Sequence, residues 1–432
     1  MTPNPSPRHA APLLALLAAC GQGLPALEIA NLVPEADPRA AGQTLFLRAT
    51  FGTEQLGQWP PADFLLALME DEPEVFGDQF ARFGFVADPD GEFPLGLARG
   101  TADRTQVHET CALCHVGRLP DGRVWLGLPS STLDLARLRA EVDARWVAAG
   151  NPSLFGEVER RKLAAYGPGR TAADSARYPK PVPADFPPYF RLGARTHLNY
   201  MGTGQNLRTE TYFSINAFGA GAPNPETAVV PLPDEAVVET LLAFFGALEP
   251  PPPPARDATQ VASGRAVFER EGCGGCHHVG DIAADGVVTI DTSTGARDRR
   301  PGEDPRYPRG SITTSRAHRV LQDGDPDAPS DDDRIGDLVA LILDRGLAVR
   351  RTDGYRVSLL AGLAYTAPYL HNGSVPTLEA LLSPVSERPR RFDRGGFVVD
   401  VTLPGNDNGG HTFGTQLSAM DKAALIAYLE SL

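Results

Sequence analysis

The sequence predicts a mainly α fold: two similar helical units in tandem, carried on long irregular loops. Three observations predict it. Two short motifs, Cys111-Ala112-Leu113-Cys114-His115 and Cys273-Gly274-Gly275-Cys276-His277, stand far apart in the 432-residue chain. Residues 234–248 (DEAVVETLLAFFGAL) and 417–432 (LSAMDKAALIAYLESL) look like equivalent closing helices, one behind each motif. Glycine (44) and proline (40) exceed average usage, which suits loops wrapped around few regular elements.

In chain order, residues 11–19 (APLLALLAA) follow a polar leader carrying Arg8. The run is too short to span a bilayer, which takes about 20 residues, and fits the apolar region of a signal peptide over residues 1–19. Leu17-Ala18-Ala19-Cys20 resembles the lipobox of bacterial lipoproteins, in which the mature N-terminal cysteine is lipidated. The plainer reading is a secretory signal with an incidental cysteine. Either predicts an exported protein, periplasmic or on the outer surface, touching the membrane only through a lipid anchor at Cys20. No other stretch approaches 18 apolar residues. A net charge of −14 excludes a phosphate-tracking nucleic-acid binder.

The paired cysteines carry the chemistry. C-x-x-C-H is the attachment signature of c-type haem: two thiols form thioethers to the vinyl groups, and the next residue presents an imidazole to the iron. The predicted cofactors are therefore two covalently bound haems c, held by Cys111, Cys114, Cys273 and Cys276, with His115 and His277 as proximal ligands. A four-cysteine zinc site would place its pairs about 15–20 residues apart, against 159 positions from Cys114 to Cys273. A dithiol centre would sit near a βαβ pattern, and none is evident.

Around the second motif the frame is that of a cytochrome c. Residues 257–271 read as a helix with Val261, Gly264 and Phe268 on one face. In the closing helix Ser418 is the N-cap and Asp421 stands at N3. Gly264 and Phe268 against Tyr428 reproduce the crossing of first and last helices in small c-type cytochromes. Pro250 to Pro254 form a stiff spacer. The chain thus divides into a haem-1 domain (25–249), a proline-rich linker (250–256) and a haem-2 domain (257–432). Ala62–Glu72 is a helical patch in the first, and 322–333 an acidic surface loop in the second.

The stretch Leu363-Ala364-Tyr365-Thr366-Ala367-Pro368-Tyr369-Leu370-His371-Asn372-Gly373-Ser374 resembles the bacterial di-haem cytochrome c peroxidase superfamily. The rubber-oxygenase-like branch is matched further, through Leu403 to Gly414 and around haem 1 (CALCHVGRLPDGRVWLGLPSSTLDL). The resemblance implies one electron-transfer haem with two axial ligands and another that reacts with peroxide or dioxygen. Peroxidases of the group place a methionine about 14 residues after the histidine of the TAPY-x-H-x-G motif. Here that neighbourhood is Val385, and the later Met420 lies inside the closing helix, so methionine ligation of haem 2 is not expected. The rubber oxygenases are also longer, so their substrate cavity does not carry over whole.

Cytochrome c architecture puts a sixth ligand on a loop before the last helix. His411 stands there among Gly409, Gly410 and Gly414, and the resemblance points to a histidine at this place; His371 is the alternative ligand. His278 cannot reach the far face, and His318 has no supporting context. For haem 1 the equivalent window, 195–230, offers His197, Met201, Tyr212, Phe213 and Phe218. Ligation by His197 or Met201 would saturate the iron. Phe213 or Phe218 on the distal side would leave it open, as an apolar phenylalanine does in the rubber oxygenases, and the open site is preferred. Trp125 and Trp146 read as core packing, although superfamily members use a tryptophan between haems. The resemblance also implies calcium at Thr366 and Pro368, with Asn216 as a third ligand.

The function expected is an exported di-haem oxidoreductase, peroxidase- or oxygenase-like, in which haem 1 reacts with peroxide or dioxygen. Haem 2 relays electrons from a redox partner protein or a small-molecule donor. The alternative is a membrane-tethered di-haem electron-transfer cytochrome without turnover.

Overall fold

The computed structural model describes residues 29–50, 59–101, 103–171, 183–195, 197–198, 200, 204, 206–218, 234–277, 287–289, 347, 354–403, 406 and 408–432. Cys20 and the signal segment, Met201, His278, His318 and the acidic loop 322–333 lie outside these residues. The described part is mainly helical, with only two-stranded sheets.

The helices are α1 (Ala40–Arg48), α2 (Ala62–Asp71), α3 (Pro73–Phe76), α4 (Ala112–His115), α5 (Leu135–Ala148), α6 (Glu157–Tyr166), α7 (Leu207–Phe218), α8 (Glu235–Phe245), α9 (Ala258–Arg270), α10 (Leu378–Leu381) and α11 (Ala419–Glu430). Side-chain oxygens cap several of them. Asp134, Asn206, Asp234, Asp257, Thr377 and Ser418 accept from the first-turn N–H groups of α5, α7, α8, α9, α10 and α11, satisfying donors with no intrahelical partner.

Two helix crossings organise the chain. In the second half α9 crosses α11 at Gly264, where a Cβ would stand 1.9 Å from the Ala424 carbonyl and 2.7 Å from Tyr428 Cβ. Phe268 packs edge-on against Tyr428, ring centroids 5.5 Å apart. This is the crossing the spacing predicts. In the first half α1 crosses α8 in the same manner. A Cβ on Gly42 would meet Phe244 Cβ and the Thr240 carbonyl, each at 2.6 Å, and Phe46 packs on Phe244 at 5.3 Å. Gly42-x-x-x-Phe46 and Gly264-x-x-x-Phe268 have the same spacing, one helical turn on one face.

Between α1 and the first motif an insertion packs Trp59, Leu65, Phe76, Phe80 and Phe83 into an apolar cluster with Leu138 of α5. The antiparallel pairs β1 (Leu97–Arg99)/β2 (Val107–Glu109) and β3 (Val116–Arg118)/β4 (Val124–Leu126) frame the first motif. Further pairs are β5 (Arg170–Thr171)/β6 (Ala184–Asp185), β7 (Val287–Thr289)/β8 (Gly354–Arg356) and β9 (Arg391–Arg394)/β10 (Phe397–Asp400).

The window 195–230 holds a helix, α7, which the apolar pattern hid because threonines and an asparagine interrupt its face. The prolines 250–254 also do more than space the halves. Pro252 accepts a hydrogen bond from the Tyr365 hydroxyl at 2.9 Å, and a Cβ on Gly362 would stand 2.8 Å from Pro250 Cβ.

Candidate functional site

The first motif is buried. Cys111, Cys114 and His115 are 4%, 5% and 5% exposed. Cys111 belongs to the apolar cluster around Phe46, Tyr189 and Phe245, and Cys114 to that of the insertion, so the motif lies on the seam between them. Burial pushes the Cys111 thiol up to about 12 and raises Cys114 as well, the reverse of the lowered pKa a reactive dithiol centre needs. The described cysteines are free thiols, as thioether formation requires.

His115 Nδ1 lies 3.0 Å from the Pro187 carbonyl, and the ring stacks on Tyr189 with centroids 3.7 Å apart. Burial takes its pKa down to about 3, so the imidazole is neutral, the form that ligates a metal. His277 repeats the arrangement, its Nδ1 3.1 Å from the Ser358 carbonyl. A ligating histidine almost always donates its second ring N–H to a carbonyl or carboxylate, which fixes the tautomer with Nε2 toward the metal. Two C-x-x-C-H motifs, on different folds of chain, thus acquire the same supporting bond.

His277 and His411 are brought together, ring centroids 6.3 Å apart. Two imidazoles on opposite sides of one metal, each bonded at about 2.0–2.1 Å, place their centroids about 6 Å apart. His411 has φ +54° and a buried Nδ1 without a hydrogen-bond partner. Burial, then the nearby His277 and Arg388, lower its pKa to about 4. Its loop is held by Arg388, itself 2% exposed. The guanidinium donates to the carbonyls of Ser383 (3.2 Å), Leu381 (3.0 Å), Gly410 (2.6 Å) and His411 (2.8 Å), and also to that of Asn408. Nothing in the spacing around Arg388 marks it in the sequence. Met420 is 80% exposed on α11, away from any ligand role.

His371 lies on the TAPY-x-H-x-G segment. Its ring faces Tyr200 edge-on at 6.3 Å, its carbonyl accepts from Asp185 N at 2.8 Å, and burial lowers its pKa to about 3. His197 lies half-buried beside the Leu198–Gly204 bridge. Phe213 and Phe218 lie on α7, as does Asn216, but their side chains are outside the described residues. The neighbours on α7 are described: Ser214 Oγ and the Tyr189 hydroxyl are 2.9 Å apart. Glu210, one turn earlier on the same face, is pushed up to about 7 by burial, which outweighs the nearby Arg356 and Arg195. It was not a candidate from sequence, where nothing marks a lone glutamate.

Trp125 is buried with Phe190, against Tyr365 of the second half, and donates Nε1–H to the Glu249 carbonyl at 2.9 Å. Trp146 packs edge-on to Phe64. Thr366 follows the turn Leu363–Tyr365, its hydroxyl 3.3 Å from the Leu363 carbonyl, and Pro368 is two residues on. Among the described residues no group of three or more His, Cys, Asp or Glu side chains could hold a metal ion. No described helix is long and apolar enough to cross a membrane.

Comparison with known proteins bears on the second half. Residues 354–393 match the RoxA-like, cytochrome c-like family. The protein y4iJ of Sinorhizobium fredii is 35% identical over 150 residues, covering 28% of this chain and 24% of that protein; y4iM of the same organism is 50% identical over 52 residues, 12% of each. The chain thus spans about a quarter or less of the length of these curated relatives. Among solved structures, a MauG-like protein associated with microbial copper homeostasis is similar at 19% identity and TM-score 0.34, over 62% of this chain and 79% of that one. The hydrazine synthase of Kuenenia stuttgartiensis is similar at 13% identity and TM-score 0.31, over 99% and 100%. Likeness at those scores leaves the arrangement to be read from the chain itself. The match at 354–393 covers the segment that carries the TAPY-x-H-x-G motif, and that segment is similar to the RoxA-like cytochrome c domain.

Proposed function

We propose that the chain is an exported di-haem oxidoreductase in which the buried first motif serves the reacting haem and the second motif serves an electron relay. The carrying observation is the 6.3 Å separation of His277 and His411, from which both imidazoles could hold one haem iron. Held by two histidines, that haem would supply one-electron transfer at a potential below that of a His/Met haem. The matching helix crossings at Gly42 and Gly264 support two haem-bearing units.

The two motifs differ in exposure. Cys276 is exposed and His277 half-buried, whereas His115 lies inside an apolar core. An exposed haem edge suits exchange with a redox partner protein or small donor; a buried one suits chemistry from which water is excluded. A haem at the first motif supplies an iron that binds peroxide or dioxygen. The chain's own groups then do the rest. Pro187 orients His115, and Tyr189 and Ser214 hold its face. Glu210, with its carboxyl protonated near neutrality, stores a proton on the α7 side. Phe213 or Phe218 shields the distal face, and lipidation at Cys20 tethers the exported protein. A calcium ion on Thr366 and Pro368 is part of the same proposal; chelation that shifts the haem spectra would support it, and unchanged spectra would remove it.

The test is an electronic and EPR spectrum of the ferric holoprotein, before and after half reduction and with cyanide. One low-spin haem and one that cyanide converts from high spin is the expected result. Two low-spin haems inert to cyanide in both states would make the protein an electron carrier.

A further inference from the structure

Arg170 and Arg394 meet where the two halves join, and both are buried, 1% and 7% exposed. Arg170, on β5, is paired across the ladder with Asp185 on β6. Its Nη1 donates to Asn406 Oδ1 at 2.9 Å, and its guanidinium lies 5.5 Å from the Phe397 ring centroid. Arg394, at the end of β9, donates Nη2–H to Asp185 Oδ1 at 2.7 Å. Room for that guanidinium is made by two left-handed glycines: a Cβ on Gly169 would stand 2.1 Å from Nη2, and one on Gly373 2.5 Å from Nη1.

The charges do not balance. Among the described residues Asp185 is ion-paired with Arg394 alone, Arg170 donates to the neutral Asn406, and Nε and Nη2 of Arg170 and Nε and Nη1 of Arg394 have no hydrogen-bond partner. An orphaned buried donor is destabilising, and an unpaired buried charge more so. Burial, then the charge of Arg394, brings Arg170 down to about 9; Asp185 and Asp134 oppose this only in part, and Tyr200 also lies near Asp185 and Arg394. Guanidinium forks with free donors match a carboxylate.

The surroundings narrow the anion. Asp185 stands two residues before Pro187, whose carbonyl holds His115. A Cβ on Gly169 would lie 2.7 Å from the Ser131 carbonyl, next to Ser130, which bonds the Cys114 carbonyl. On the other side Asn372 follows His371, and Asn406 lies on the chain leading to His411. Cations buried this deeply suit an anion that arrives with the chain better than one exchanging with solvent.

We propose that Arg170 and Arg394 form a carboxylate receptor whose ligand is a propionate of one of the covalently held haems. This rests on the haem reading above. Haem content is therefore measured first, by pyridine haemochrome, so that its failure is seen separately: fewer than two haems per chain would overturn the di-haem reading, and no haem at all would overturn the receptor with it. Arg170→Gln removes one fork without stranding a carboxylate, and Arg394→Gln with Asp185→Asn removes the other as a neutral pair. With two haems bound, each variant should shift the propionate bending band of one haem in the low-frequency resonance Raman spectrum. The same haem should fall in potential and become pH-dependent between about pH 5 and 8, the other haem being unchanged. Bands and potentials identical to wild type in both loaded variants would overturn the proposal. So would wild-type potentials that respond to added inorganic phosphate and cease to do so in Arg170→Gln, since the occupant would then be a soluble anion.

Discussion

Arg388 Nη2 donates to the carbonyl of His411 at 2.8 Å while Nη1 of the same guanidinium holds the carbonyl of Gly410 at 2.6 Å. One buried arginine thus sets the backbone that aims the imidazole at His277. Replacing it by alanine releases the loop at three carbonyls, those of Asn408, Gly410 and His411, and unties it from Leu381 and Ser383. Arg388→Ala should keep its full haem load and lose the low-spin EPR signal of haem 2, as His411→Ala should. A His411→Ala protein with an unchanged low-spin signal would show that His411 is not the ligand, and an unchanged Arg388→Ala signal that the loop holds without the arginine.

Glu109 and Arg139 form a second buried pair, 4% and 7% exposed, with Nη2 and Oε1 2.5 Å apart and Trp59 Nε1 3.3 Å from the same oxygen. Glu109 stands two residues before Cys111, so the pair underpins the first motif. Arg139→Ala strands the carboxylate and should cost about 3–5 kcal/mol in urea denaturation. A paired Glu109→Leu/Arg139→Met change should cost much less, and equal losses would mean that packing, not charge, is at stake.

The helix crossings give a matched test. Gly264→Ala places a methyl within 1.9 Å of the Ala424 carbonyl, and Gly42→Ala places one 2.6 Å from the Thr240 carbonyl. Backbone cannot yield as a flexible side chain does. Each change should destabilise by about 1–3 kcal/mol or more, seen as a lower Tm. Gly264→Ala should weaken haem 2 attachment and Gly42→Ala haem 1. Equal effects on both haems would mean that the halves do not fold as separate units.

Glu210 predicts a pH dependence. Its carboxyl rises from 4.5 to about 7 in the folded chain, so the folded state holds a proton that the unfolded state has released between those values. The Glu210 contribution to stability therefore falls as pH rises from about 4.5 to 7 and is flat above, by roughly 3 kcal/mol in all. Buried His115, His371 and His411, whose pKa values are lowered, contribute with the opposite sign over an overlapping range. Glu210→Gln should therefore make stability rise more steeply with pH than in wild type in denaturant titrations, and a profile parallel to wild type would show that Glu210 does not carry the shift.

Much of this chain was legible in the sequence because it is local. Each C-x-x-C-H motif fixes attachment within five residues, and α9 and α11 follow from apolar spacing and the Ser418 cap. The crossing at Gly264 follows from a glycine one turn before an aromatic. The equivalent helix α1 was missed although Gly42 and Phe46 repeat that spacing, because the insertion separates it from Cys111, whereas Phe268 lies five residues before Cys273. Helix α7 was missed for another reason: Thr209 and Thr211 lie inside the core, where their hydroxyls find Asn206 and Leu207.

The sequence by itself determined the two C-x-x-C-H motifs and the closing helices, since those depend on neighbours a few residues away. Only the tertiary structure decided which arginine holds the His411 loop, that Glu210 is driven toward neutrality, and that Arg394 pairs with Asp185 while Arg170 meets Asn406. Charge burial and hydrogen-bond satisfaction are set by residues hundreds of positions apart, as Arg170 and Asn406 are. No spacing along the chain encodes how many carbonyls or carboxylates a buried guanidinium will find.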